Sequence, residues 1–291
     1  MPRHRKKIID IGSAIVLLAL VALDAALWQN IFARSILVRA DAPTEHIEFL
    51  PVTQGESALL VLDNGVTILT DAGSDAAIVD DLAHAMPASA PAYIDLAIIS
   101  YPQPADYAGY QYLLAHYAVG AFLYNGRADT ANKTEWQAFT SLITQKKIPL
   151  IMVGAGDSIR YGPDTMITVL SPDATFAKSP DPTDTGVVQL VKTPRFGALL
   201  LADVGANIIS GLLAPDGRDL RANILKASFP GVDGTVGEAL LRAIAPQNIV
   251  ITPGVKNTPS APTKAELAHL ASSTHATTAV SGHGLFLLYN K

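Results

Sequence analysis

Seven histidines and a body rich in carboxylates are the side chains of this 291-residue chain with the most chemistry to offer. Where several imidazoles and carboxylates converge they hold a divalent ion, and the ion brings the pKa of a bound water towards neutrality. The histidines stand at positions 4, 46, 84, 116, 269, 275 and 283. His84, His116 and His269 fall on segments of helical spacing and are expected on exposed faces. His283 belongs to the turn Ser281-Gly282-His283-Gly284 before the last strand. The chain has no cysteine, which excludes disulfides, thiolate metal sites and Cys nucleophiles. There is no G-x-S-x-G elbow and no G-x-x-x-x-G-K-[ST] loop. Gly154-Ala155-Gly156 reads as a turn, and Asn132-Lys133-Thr134 matches a glycosylation sequon by pattern alone.

The elements that must position any site follow from the apolar spacing. Ile47–Thr53 and Ser57–Leu62 read as strands, and Asn64-Gly65 is a strong two-residue hairpin signal before a returning strand at Val66–Thr70. Residues 74–85 carry helical spacing, and Ile94–Ser100 is a short apolar strand of the buried type. A Pro-rich loop and a helix near 109–118 come next. Strands are expected at Ala121–Tyr124, Leu150–Val153, Met166–Leu170, Val187–Lys192, Ala198–Ala202, 223–227, Ile249–Thr252, Thr277–Val280 and Leu285–Tyr289. Helices are expected at 132–146, 206–213, 235–244 and 263–271. An antiparallel meander followed by alternating strands and helices implies a mixed sheet covered by helices. No Pro/Ser-rich linker divides 47–291, which reads as one domain.

Charge is uneven along the chain. The first 40 residues hold six Lys/Arg and two Asp, leaving 15 basic and 24 acidic residues in the remainder. An acidic body is a poor match for a phosphate backbone, so nucleic acid is not an expected partner. Arg3, Arg5, Lys6 and Lys7 precede an apolar run from Ile8 to about Leu37, densest over Ile11–Trp28 and interrupted by Asp24. About 20 apolar residues as helix cross a bilayer. The basic cluster then predicts a single-pass anchor, with the N-terminus cytoplasmic and the body extracytoplasmic. A cleaved signal peptide, with Ala40-Asp41-Ala42 as cleavage site, and a soluble amphipathic helix are the alternatives. The expected organisation is a basic stub and anchor over 1–40, a linker over 41–46 and a domain over 47–291.

Taken in order, the segments of 47–290 resemble the metallo-β-lactamase-like domain at the C-terminus of ComEC-type competence proteins. The opening IEFLPVTQGESALLVLDNGVTILTDAG is similar to that family's FLDVGQGDAILI…G…ILIDGG, with Gln54-Gly55-Glu56 on its Gln-Gly-Asp and Asp71-Ala72-Gly73 at the end of the third strand. IDLAIISYPQPADYAGY is similar to LDLLVLSHPHADHIGG, ALLLADVG to FLLTGD, and ILKASFPGVDG to VLKVPHHGS. PQNIVITPGVKNTPSAPTKAELAHL carries the likeness to the end. The resemblance implies an α/β (α+β) fold, the metallo-β-lactamase-like αββα sandwich, preceded here by one transmembrane helix.

It also implies a zinc site whose ligands are mostly replaced. Tyr101 stands for the first His of H-x-H-x-D-H, Gln103 or Pro104 for the second and Tyr107 for the last, while Asp106 survives. Phe229-Pro230 replace the later His-His, and Ala261 replaces the His before Pro262. Asp203 is the second surviving carboxylate. Two carboxylates without imidazole make a poor transition-metal site, though Mg²⁺ or Ca²⁺ could bind them weakly. No cofactor is therefore expected. Asp106 is expected to accept loop backbone amides, Asp203 to cap the helix after it, and Asp71 to brace the loop. Tyr101, Tyr107, Tyr110 and Phe229, with Pro102, Pro104 and Pro230, would line or plug the vacated cleft. The resulting expectation is a catalytically inactive binding or scaffolding module with an unidentified protein partner or oligomer. A metal-dependent hydrolase with a rebuilt site, phosphodiesterase-like, is one alternative, and a subunit of a surface or DNA-uptake assembly is another.

Overall fold

A computed structural model describes residues 45–86, 90–214, 218–227, 236–252, 270, 277–280 and 285–288. Thr44–Lys291 form one compact unit. The predicted anchor over 8–37 lies outside the described residues, among which no helix is long and apolar enough to cross a membrane.

Two seven-stranded sheets make up the body. In the first, β1 (His46–Phe49), β2 (Ala58–Val61) and β3 (Thr67–Thr70) run antiparallel, and β4 (Tyr93–Ile98), β5 (Ala118–Tyr124) and β6 (Leu150–Met152) add in parallel. In the second, β7 (Ser158–Tyr161), β8 (Thr165–Ser171), β9 (Val188–Lys192) and β10 (Gly197–Leu200) run antiparallel, then β11 (Ile224–Lys226), β12 (Asn248–Ile251) and β13 (Thr277–Val280) continue in parallel. The last strand, β14 (Leu285–Leu288), returns to the first sheet beside β1.

Strand alternation builds the layers. In β2, Ala58 and Leu60 face the core between the sheets, whereas Leu59 and Val61 face helices on the other side. Strands buried on both faces read as unbroken apolar runs for this reason. α1 (Ala77–Ala85), α2 (Pro104–Leu113) and α3 (Lys133–Gln145) cover the first sheet, and α4 (Ala206–Leu212) and α5 (Glu238–Ile244) cover the second. Three apolar layers result, one between the sheets and one beneath each set of helices, which is the expected four-layer αββα order.

Asn64 and Gly65 adopt positive φ, 65° and 78°, in the turn between β2 and β3, as their types require. Two departures from expectation have physical reasons. β7 was not expected, because Ser158 and Arg160 on this exposed edge strand dilute the apolar pattern. α2 begins five residues earlier than its apolar spacing suggested. Pro104 occupies the first helical position, where a missing N–H is harmless, so the prolines mark a helix start and not a longer loop.

Candidate functional site: an amide between two carboxylates

Three short loops meet at the N-terminal end of α2. Gly55 sits at φ 85°, and a Cβ there would stand 1.8 Å from the Ala105 carbonyl oxygen. Within α2, a Cβ on Gly109 would stand 1.9 Å from the Ala72 carbonyl oxygen. Only glycine admits the loops at 53–57 and 71–73 this close. The contact is fixed by Ala72 N–H donating to Asp106 O (2.8 Å) and Gly109 N–H donating to Gly73 O (2.9 Å).

Gln103 is the N-cap residue of α2, but its side chain makes no cap. Its Nε2 donates instead to Asp106 Oδ2 at 2.8 Å and to Asp203 Oδ2 at 2.9 Å. Asp203 arrives from the loop after β10, 100 residues further along the chain. One primary amide thus uses both of its hydrogens to bridge two carboxylates. Asp203 does not cap α4, whose N-cap residue is Gly205 with no side-chain capping bond. The Asp106 carboxylate takes the Gln103 side-chain amide, contrary to the expectation that it accepts loop backbone amides. Asp71 does brace the loop: held at φ 60°, it accepts the Ser100 N–H at 2.8 Å.

Charge accumulates here without much water. Asp106 and Asp71 are 3% exposed. Burial raises both carboxyls well above the ordinary range; Asp106 also feels the negative charges of Asp71 and Asp203, and Asp71 those of Glu56 and Asp203. Burial and the charges of Asp203 and Asp106 push the Tyr101 hydroxyl up to about 12, so it stays a neutral donor. Behind them Lys226, 3% exposed on β11, forms an ion pair with Glu56 across the two sheets. Glu56, Asp71, Ser100, Gln189 and Lys226 line a small cavity of about 20 Å³. Gln189 accepts from Thr70 Oγ at 3.2 Å, linking β9 to β3.

Tyr107 and Tyr110 must be removed from the expected cleft. Both are fully buried. Tyr107 donates to Asp129 Oδ2 at 3.1 Å and packs edge-on against Trp136, 5.1 Å between ring centroids. The Tyr110 hydroxyl donates to the carbonyls of Leu69 (2.8 Å) and Ile98 (3.1 Å). Because α2 starts at Pro104, positions 107, 110 and 113–114 form its inward stripe. Tyr101, Pro102 and Pro104 remain half-buried around the site. Phe229, Pro230, Ala261 and the His283 turn lie outside the described residues.

Lys226 and Gln189 were not singled out from the sequence. Their signal was available: each is a polar residue inside an otherwise apolar strand, ILK and VQLVK.

No family model matches the chain, and no curated protein matches it in sequence. Solved structures do match in shape. The diiron β-hydroxylase CmlA from Streptomyces venezuelae superposes with a TM-score of 0.52 at 10% identity, over 84% of this chain and 54% of that one. Its E377D mutant gives 0.54 at 11% identity over the same shares. Zn²⁺-bound PqqB from Methylobacterium extorquens gives 0.53 at 11% identity, over 83% of this chain and 100% of that one. The architecture is the metallo-β-lactamase fold. The chain spans about half the length of the CmlA structures, and identities this low establish the fold alone.

In this metallo-β-lactamase fold the bound metals of CmlA and PqqB are a diiron centre and zinc. The donors among the described residues do not fit such a centre. No group of three or more His, Cys, Asp or Glu able to hold an ion occurs among the described residues. The space between Asp106 and Asp203 is spanned by an NH₂ group, whose hydrogens point at both oxygens a cation would need.

The raised carboxyls make a stability prediction. An ordinary aspartate titrates near pH 3.9 in the unfolded chain, and Asp71 titrates well above its usual range when folded. The folded state therefore binds the extra proton, and stability falls as pH rises from the unfolded value through the folded one. Asp71→Asn keeps an acceptor for Ser100 N–H and suits positive φ. Thermal melts should show this variant more stable than the parent at pH 8, by about 2–4 °C for each kcal/mol gained. The difference should shrink towards pH 4. A variant that is less stable at every pH would count against a strained carboxylate.

Proposed function

We propose that this protein is a catalytically inactive member of the metallo-β-lactamase fold, working as an extracytoplasmic binding or scaffolding module tethered by its apolar N-terminal segment. The observation that carries the reading is the Gln103 amide lying between Asp106 and Asp203. A hydrolase of this fold needs a cation to make hydroxide near neutral pH, and here neutral N–H donors satisfy the two carboxylates instead. The ComEC-type resemblance belongs to the same proposal. It is supported by the Gln54-Gly55-Glu56 and Asp71-Ala72-Gly73 segments, which are joined by Gly73 N–H donating to Glu56 O at 3.1 Å. The half-buried Tyr101, Pro102 and Pro104 offer a partner apolar contact beside this site.

The test is metal content together with turnover. Full-length protein in detergent would be incubated with Zn²⁺, Mn²⁺ or Mg²⁺, desalted and analysed for metal, then assayed on bis(p-nitrophenyl) phosphate. The expected result is well under one ion per chain and no hydrolysis above buffer. Stoichiometric metal with phosphodiester turnover would overturn the proposal in favour of a rebuilt hydrolase.

A further inference from the structure

At the end of β10 opposite Asp203, the turn joining β9 to β10, the segment 221–223 and the last turn of α5 border an open groove of about 460 Å³. Lys192, Arg195, Arg221 and Arg242 line it, and the described lining residues include no acidic side chain. The body holds 15 basic residues against 24 acidic ones. Four of those 15 converge here from three separate segments, against the overall sign of the protein.

Three of the four already have acidic partners; Lys192 also donates to the Arg221 carbonyl oxygen at 2.5 Å, and Glu45, the partner of Arg195, is buried. Lys192 lies 3.4 Å from Asp219, Arg195 3.8 Å from Glu45, and Arg242 3.7 Å from Glu238. The Lys192 and Arg242 pairs are solvent-exposed, and such pairs contribute little and give way readily to a denser anion. Arg221 stands exposed at the rim. Asn223 accepts the Gly197 N–H through Oδ1 at 2.8 Å, so its amide nitrogen is a donor.

We propose that this groove binds a soluble polyphosphate compound, a small molecule carrying two or more linked phosphate groups. Guanidinium forks match phosphate oxygens in pairs. A single phosphate would meet only part of a cation set spread over three segments. The site shares no residue with the Gln103 centre, so the proposal stands whatever the fate of the inactive reading.

Pyrophosphate is the probe, titrated calorimetrically in EDTA into the detergent-solubilised full chain, with inorganic phosphate for comparison. Saturable binding at one site per chain is expected, weaker for inorganic phosphate and weakened by salt. The pair Arg221→Ala and Arg242→Ala should weaken pyrophosphate about tenfold or more, with an unchanged melting temperature. Arg160→Ala, at an exposed cation on β7, should leave binding intact. No saturable heat, equal binding by the double variant, or an equal loss on Arg160→Ala would each overturn the proposal.

Discussion

Lys226→Met is expected to lower the melting temperature of this protein by about 5–15 °C. The ammonium is 3% exposed and its partner Glu56 is 21% exposed. Removing one member of a buried pair strands the other charge, at a cost of about 3–5 kcal/mol. Glu56 keeps some contact with water, which places the loss at about 2–4 kcal/mol, and a unit of this size shifts by about 2–4 °C per kcal/mol. The pair also ties the loop before β2 to β11 in the opposite sheet. Adding Glu56→Gln removes the stranded charge, and the double variant should recover most of the loss. Circular-dichroism melts of the parent, both single variants and the double variant close the cycle. If Lys226→Met melts with the parent, the pair contributes no net stability.

Gln103→Glu should change the site from one that refuses cations to one that needs them. The substitution keeps shape and exchanges an NH₂ donor for a third carboxylate oxygen facing Asp106 and Asp203. Three acidic groups then crowd one partly buried point, and like charges at contact are strongly unfavourable. In EDTA at pH 8 the variant should melt about 5–10 °C below the parent, in line with roughly 3 kcal/mol of unrelieved repulsion. Millimolar Mg²⁺, Mn²⁺ or Ca²⁺ should restore stability, because oxygen donors suit hard cations and a ligand bound only by the folded state raises its melting point. At pH 5 the deficit should narrow, with protons doing what the cation does at pH 8. The parent should show no such cation response. Equal responses in parent and variant would mean that the Gln103 amide does not keep ions out.

Much of the architecture was legible because the layers are written twice over. Runs such as ALLV and TILT carry apolar residues on both faces, and Asn64-Gly65 names its own turn. The site was legible in part. The positions of Asp106 and Asp203 followed from the order of segments, yet their partner did not. Gln103 lies near Asp106 in sequence but 100 residues from Asp203, and only folding joins the three. The tyrosines failed for a helical reason. With a Pro-rich loop up to about 108, Tyr107 falls on a rim and Tyr110 on the first turn of a helix; with Pro104 as the first helical residue, the same spacing turns both into the core. Arg221 and Arg242 were equally hidden, since three distant segments must pack before their charges share one groove.

The pairing of β1 with β14 bears on how the polypeptide is made. His46 sits opposite Leu288 and Phe49 opposite Leu285, so β1 pairs with a strand that is made long after it. Before β14 is in place, the outer edge of β1, which carries Ile47 and Phe49, has no mate. An open apolar edge of that kind invites pairing with another chain. Pairing with β14 removes that edge from the folded domain and leaves β1 flanked by strands on both sides.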